Sequence, residues 1–442
     1  MWKTTVEPAK PRKNVRFLPI VRVLEMPDER APRRWVFEGG EVAVGRAVGE
    51  RGLAFPDDDA VSRQHAVLHI DVASRSASIE DTSRSGTFVQ GQRVAKGPVR
   101  EGDVVRVGNS FFALRFEAEN EIDGAETSEK SALIGDSPAL RTIRRTLSVV
   151  AKSPATVLVL GESGTGKELA AQQLHAQSER PGPFVAVNCG AIPEALAESQ
   201  LFGHLPGAFT GAKRETLGWF QAASSGTLFL DELGELPLSL QPKLLRAVEE
   251  RAVVPVGATT PVPCDVRIVA ATNRDLGDRS RFRGDLLARV SEFVVEIPPL
   301  RERREDVLPI LASMLGEQRA ELDPELVGAL LLHDYPHNAR DLRRIATQLS
   351  VRGRDRELWD LSLVDRLGEP EAEGEEASAQ VRAVERAPAA ASPIPTREEL
   401  EALLKVHSGN VADMARETGR SRKQVYRWLV QHGLSLDDYR RD

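Results

Sequence analysis

The 442-residue chain is poor in cysteine, in long apolar runs and in any surplus of positive charge. Its two cysteines, Cys189 and Cys264, are too few for a disulfide framework, which suits a reducing compartment. No apolar run approaches the ~20 residues that a membrane span needs. Residues 1–16 mix Lys, Pro and Arg without the apolar stretch of a secretion signal. These absences predict a soluble, cytoplasmic protein with no membrane partner. The 59 Lys and Arg against 66 Asp and Glu give a net charge of −7, which excludes a protein that coats nucleic acid by bulk charge. Any DNA contact must come from a local basic patch. Hydrophobic residues make up 41% of the chain, ample for several cores, and the length predicts roughly two to four domains.

Two stretches have too little to bury to offset the entropy of ordering. Residues 117–130 are acidic and polar, and residues 367–395 are rich in Glu, Ala and Pro, so both read as linkers. They leave folded segments at 17–116, 131–366 and 396–442. The first has short β-favouring runs, such as Val42-Ala43-Val44 and Phe111 to Phe116, between Gly, Asp and Ser turns, which predicts a small β-sandwich. The second alternates apolar runs with amphipathic stretches, the pattern of a parallel α/β sheet; after Pro299 strands disappear, predicting a helical lid over 301–366. The third is short and all-α, with Leu400, Leu403 and Leu404 at helical spacing.

In the middle segment the run Val157 to Leu160 leads directly into Gly161-Glu162-Ser163-Gly164-Thr165-Gly166-Lys167-Glu168 and then a helical stretch. Glycines let backbone amides wrap a phosphate, the following helix N-terminus attracts the anion and Lys167 adds charge. Glu168 stands where the generic pattern has a Ser or Thr ligand for Mg2+. A second buried run, Thr227 to Leu230, ends in Asp231-Glu232, where one carboxylate can hold Mg2+ and its neighbour can polarise water. Alone, such a pair is more often a solvated turn; beside a phosphate loop it reads as catalytic. A third run, Arg267 to Thr272, ends in Asn273, placed to sense a γ-phosphate or position water. Together these strand ends predict nucleotide hydrolysis.

Segment 131–345 resembles the AAA+ ATPase domain of bacterial sigma-54-dependent transcriptional activators. The resemblance runs through the phosphate loop with its Glu168, Asn188-Cys189, Leu201-Phe202-Gly203-His204, Gly207-Ala208-Phe209-Thr210-Gly211-Ala212, Gly226 to Glu232, Val266 to Leu276, Phe282-Arg283 to Arg289 and Pro298 to Arg303. It implies ATP with Mg2+, with Lys167 on the phosphates, Asp231 on the metal and Glu232 activating water. It implies that Asn188 couples nucleotide state to Glu232. Arg283 and Arg289 become arginine fingers acting on a neighbouring subunit, which implies a homo-oligomeric ring, a hexamer when active. The loop Gly207 to Ala212, by itself an ordinary surface turn, becomes the grip on sigma-54, with Phe209 and Thr210 in contact. Arg340 matches the second sensor. The lid motif departs from its usual Trp-Pro-Gly-Asn form, reading Tyr335-Pro336-His337-Asn338.

From Gly409 the chain reads as helix, Gly turn, Ser421 cap and second helix. Val425, Trp428 and Leu429 share the inner face, leaving Arg422, Lys423, Gln424, Tyr426 and Arg427 towards solvent. With Arg416 and Arg420 they form the local basic patch that a major-groove recognition helix needs. The segment resembles the factor-for-inversion-stimulation type of helix-turn-helix, implying enhancer DNA as a partner.

In the first segment Gly45-Arg46, Ser62-Arg63-Gln64-His65 and Asp81 to Gly91 fall in order on loops. The segment resembles the forkhead-associated (FHA) domain. The resemblance places Arg46, Ser62 and Arg63 on phosphothreonine, with His65 as buttress and a phosphoprotein or a Ser/Thr kinase as partner. Ser85 replaces the usual Asn that holds the ligand backbone. The combined expectation is a transcriptional regulator that binds an enhancer, hydrolyses ATP as a ring and remodels sigma-54 RNA polymerase under phosphothreonine control. An ATPase acting elsewhere, or a phospho-dependent repressor without ATPase activity, are the competing classes.

Overall fold

The computed structural model describes residues 16–26, 33–119, 131–210, 212–316, 318, 320–365, 367, 397–406 and 414. Two compact units emerge, Met1–Glu369 and Pro370–Asp442.

The N-terminal sandwich has a six-stranded sheet in the order Arg34–Val36, Phe17–Glu25, Ser110–Ala118, Val104–Val107, Thr87–Val89, Gln92–Val94. A five-stranded sheet faces it, in the order Leu53–Ala54, Gly40–Gly45, Ala66–Asp71, Ser76–Asp81, Lys96–Val99. Side chains alternate across each strand, and Val21, Val44, Leu68, Ile79, Val105 and Phe112 fill the space between the sheets. The Phe55 ring stacks on Phe112 with centroids 6.1 Å apart. The strand Ser110–Ala118 is covered on both faces. Phe112, Leu114 and Phe116 belong to the sandwich core, whereas Phe111 and Ala113 are buried among lid residues. This strand also corrects the expected linker boundary, because Glu117 and Ala118 continue it. Glu117 is buried and receives Arg22 at 3.0 Å and also Arg141; averaging over an acidic stretch hid one carboxylate with two partners.

The central segment folds around a parallel sheet in the order Phe184–Asn188, Thr227–Asp231, Arg267–Thr272, Val157–Leu160, Phe293–Glu296. Its strands read as continuous apolar runs because both faces are covered. On one face Val157, Val159, Val269 and Ala271 meet Leu140, Ile143 and Leu147 of helix Pro138–Ala151 and Leu174 of helix Lys167–Ala176. On the other, Leu158, Leu228, Ile268 and Ala270 meet Leu201, Leu244 and Leu286.

The lid contains helices Val307–Leu315, Pro324–Leu332 and Ala339–Arg352. The sequence predicts a purely helical lid, but Glu321–Leu322 and Leu358–Trp359 pair in it as a parallel ribbon. Two-residue strands are too short to show alternation. Buried Tyr335 donates its hydroxyl to Leu330 at 2.7 Å, so the position expected to carry Trp keeps a core aromatic with a satisfied polar tip.

In the second unit the described part is helix Arg397–Val406, with Leu400 and Leu404 buried, and Met414. Ser421, Arg422, Lys423, Gln424, Tyr426 and Arg427 lie outside the described residues, as does Gly211. Among the described residues no helix is long and apolar enough to cross a membrane.

Candidate nucleotide and ligand sites

The carboxyl ends of the parallel strands are where open α/β sheets hold ligands. The loop from Gly161 to Gly166 leaves strand Val157–Leu160 there and enters helix Lys167–Ala176. Gly164, at φ +78°, lies so close to the lid that a Cβ would collide with the His337 carbonyl. The Lys167 ammonium donates to the Gly161 and Glu162 carbonyls, both at 2.8 Å. Burial draws its pKa below the usual lysine range, against the attraction of Asp231; Arg340 adds to the lowering and Glu232 opposes it. Glu168 is exposed on the outer side of its helix and accepts from Gln172 at 3.2 Å.

Asn188 and Asp231 are paired residues at the ends of adjacent parallel strands. Asn188 Oδ1 accepts the Gly190 and Ala191 amides at 2.8 and 3.1 Å. A Cβ on Gly190 would lie 2.6 Å from Glu232 Oε2, so Glu232 reaches the Asn188 turn. Asp231 Oδ1 accepts the Glu232 amide at 2.9 Å, and Glu232 sits at φ +52°, a strained setting for a non-glycine residue at a strand end. Asn273 follows the buried Thr272 and is exposed. Arg283 caps helix Gly284–Val290 and pairs with Asp285 at 2.7 Å; Arg289 in its last turn pairs with Glu292 at 3.4 Å.

The lid meets the phosphate loop through more than Arg340. Arg340 Nη1 donates to Ser163 Oγ at 2.8 Å. Arg301 forks onto Glu162 at 2.9 and 2.6 Å, and Asn338 Nδ2 donates to Glu162 and to the Ser163 carbonyl. Hydrogen bonds from Arg301, and also from Asn338, hold the Glu162 carboxyl below its ordinary range. Arg303, buried, donates to the Thr165 carbonyl at 2.9 Å. Arg301 and Arg303 fall within the Pro298 to Arg303 motif, but nothing in its spacing shows which loop they hold.

The Gly207 to Ala212 loop closes with the Gly207 amide on the Ala212 carbonyl at 2.8 Å. Phe209 at its tip is 39% exposed, and its ring rests on His204 with centroids 4.9 Å apart. Phe209 is thus a large apolar side chain kept partly at the surface.

In the sandwich, the Arg46 amide donates to the Ser62 carbonyl at 3.0 Å and the Ala47 amide to Arg63 at 3.1 Å, drawing the three expected ligand residues together. His65 is fully buried; Nδ1 accepts the Ser62 amide at 3.1 Å and Nε2 faces the Gly86 carbonyl at 3.2 Å. Burial holds this imidazole below the usual histidine range. The Arg46 guanidinium pairs with exposed Asp59, a neighbour that no motif singled out. Ser85 donates its hydroxyl to the Ala60 carbonyl at 3.0 Å, which ties its loop to the loop that carries Asp59 and offers no side-chain amide.

Comparison with known proteins gives the family of two of the segments. Residues 133–296 match the sigma-54 interaction domain and residues 42–108 the FHA domain. The chain is 40% identical over 320 residues to the acetoin dehydrogenase operon transcriptional activator AcoR of Bacillus subtilis. That match covers 70% of this chain and 52% of AcoR, so the chain spans about half the length of that relative. It is 39% identical over 333 residues to the transcriptional regulatory protein GlrR of Escherichia coli, covering 70% of each. Among solved structures, NtrX from Brucella abortus in complex with ADP is 31% identical with a TM-score of 0.50, over 68% of this chain and 70% of that one. The chain therefore belongs to the sigma-54-dependent transcriptional regulators, and it carries an FHA domain ahead of its sigma-54 interaction domain.

Proposed function

We propose that the protein hydrolyses ATP as a ring and uses the energy to remodel sigma-54 RNA polymerase at promoters, from enhancer DNA bound by its C-terminal segment. The observation that carries this reading is the convergence of Lys167, Asp231 and Glu232 at the strand ends beneath Arg340 of the lid. Amides of the Gly161 to Gly166 loop and Lys167 bind the phosphates, and Arg340 closes the pocket from the lid. Glu232 orients a water towards the γ-phosphorus and takes its proton as the bond to the ADP oxygen breaks. Asn188 sets the turn against which Glu232 rests, and Asn273 lies at the end of the neighbouring strand. Asp231 supplies the strand-end carboxylate that would hold Mg2+ when nucleotide is bound. When bound, that ion neutralises phosphate charge.

Arg283 and Arg289 are exposed at the two ends of one short helix, and among the described residues their guanidinium groups pair with near neighbours in sequence, Asp285 and Glu292, which leaves them within reach of another subunit. Phe209 and Thr210 engage sigma-54. The FHA segment receives a phosphothreonine protein or kinase through Arg46, Ser62 and Arg63, in exchange for Asp59. The test is ATPase rate per protomer against protein concentration. A steep rise that Arg289→Ala abolishes supports a ring with fingers acting in trans; a flat rate argues for a protomer that works alone.

A further inference from the structure

The sandwich is built against the ATPase rather than strung beside it. Phe111 and Ala113, with Val104 and Leu24, are buried with Leu326, Leu330 and Leu331 of the lid. A Cβ placed on Gly328 would touch the Phe111 ring at 3.5 Å, so the ring packs against helix Pro324–Leu332 at this glycine. Arg115, on the same strand, donates to both Glu305 oxygens at 2.6 and 3.1 Å and to the Glu302 carbonyl at 3.2 Å. Glu305 is only 7% exposed, so this is a buried, charge-assisted fork. Two residues further along the strand, Glu117 receives Arg141 from the first helix of the nucleotide-binding core. One strand thus holds the lid with Arg115 and the core with Glu117.

Between those two anchors runs the joint itself. Asp306, fully buried beside Glu305, accepts the Asp136 and Ser137 amides at 2.6 and 2.8 Å and the Ser137 hydroxyl at 2.6 Å. Arg303, three residues back, holds the Thr165 carbonyl of the phosphate loop. The segment that Arg115 grips is therefore the one that carries the lid onto the loop. The phosphothreonine residues are left uncovered by this docking. Gly86, which holds His65, and Gly91, which abuts Leu332 of the lid, stand at opposite ends of strand Thr87–Val89.

We propose that the FHA sandwich is a clip across the joint between the nucleotide-binding core and its lid, holding the lid where Arg340 and Asn338 reach the phosphate loop. Preorganising the lid raises the fraction of protein competent to bind nucleotide, and opening the clip gives that affinity back. This inference rests on the nucleotide-site reading above. The test uses the full chain and ADP titration of the unaltered protein, Arg115→Ala, Glu305→Gln and their combination, with hydrogen exchange over residues 300–306. Each single variant is expected to raise the Kd for ADP about fivefold, the double variant adding little, with faster exchange in 300–306. Folded variants with unchanged Kd and unchanged exchange overturn the clip. Should Arg115→Ala fail to fold, Glu305→Gln, which keeps the shape, decides alone. An unaltered protein that binds no ADP would instead overturn the nucleotide site, and exchange in Glu305→Gln would still decide the clip.

Discussion

Asn338 donates to Glu162 at 3.1 Å, joining the turn that opens the final lid helix to the phosphate loop. The same buried amide accepts the Leu300 N–H at 2.7 Å and donates to the Ser163 carbonyl at 3.0 Å. Asn338 also sits at φ +52° and ψ −126°, outside the left-handed helical well, a backbone setting that side-chain-bearing residues rarely adopt. Asn338→Ala leaves buried partners unpaired, each worth about 1–3 kcal/mol. The expected outcome is a lower urea midpoint for the ATPase unit and weaker ADP binding; unchanged values for both would remove Asn338 from the contacts that hold the lid.

Gly164→Ala combines two faults at one position. The φ of +78° is costly for alanine, and its methyl would strike the His337 carbonyl. Loop and lid must separate, so nucleotide binding should fall by an order of magnitude or more, on the order of 1.4 kcal/mol per tenfold. Gly207→Ala serves as a comparison, because it has positive φ but open space around the added carbon. It should leave ADP affinity unchanged in an equilibrium titration.

The neutral state of His65 predicts a pH dependence. The imidazole titrates near 6.5 when unfolded and lower when folded, because burial opposes its charge. Below about pH 6.5 the unfolded chain binds a proton that the folded domain does not, so stability is full above that value and falls as pH drops towards the folded pKa. The slope from this one group is at most about 1.4 kcal/mol per pH unit. Urea midpoints between about pH 5 and 8 should show the fall, and His65→Gln should flatten it; equal slopes in both proteins would remove His65 from the account.

Cys189 adjoins Asn188 yet is not poised for chemistry. Burial, reinforced by Asp231 and Glu232, pushes its thiol up to about 12, and burial also raises Cys264. The reactive thiolate is therefore scarce in the native protein. Iodoacetamide at about pH 8 should label neither cysteine until denaturant is added. Rapid native labelling of Cys189 would mean that the Asn188 turn opens.

Much of the candidate nucleotide site is legible in the sequence because backbone chemistry writes it locally. A phosphate loop needs its glycines in order, and a carboxylate at a strand end follows an apolar run. The lid contacts were not legible. Arg301, Arg303 and Asn338 are single polar residues whose partners lie more than a hundred positions away. Glu117 was taken into a linker because its neighbours are acidic, although its burial depends on Arg22 and Arg141. The run Phe111 to Phe116 was visible as a strand, but not that its two faces serve different domains. The DNA-reading residues from Ser421 to Arg427 remain a reading of sequence alone.

In the proposed function, ATP hydrolysis is coupled to sigma-54 polymerase through the Gly207 to Ala212 loop. The most direct measurement is open-complex formation on a sigma-54 promoter beside ATPase rate, for the unaltered protein and Thr210→Ala. The account predicts that Thr210→Ala hydrolyses ATP at close to the unaltered rate and opens no promoter. Full promoter opening by Thr210→Ala would contradict it.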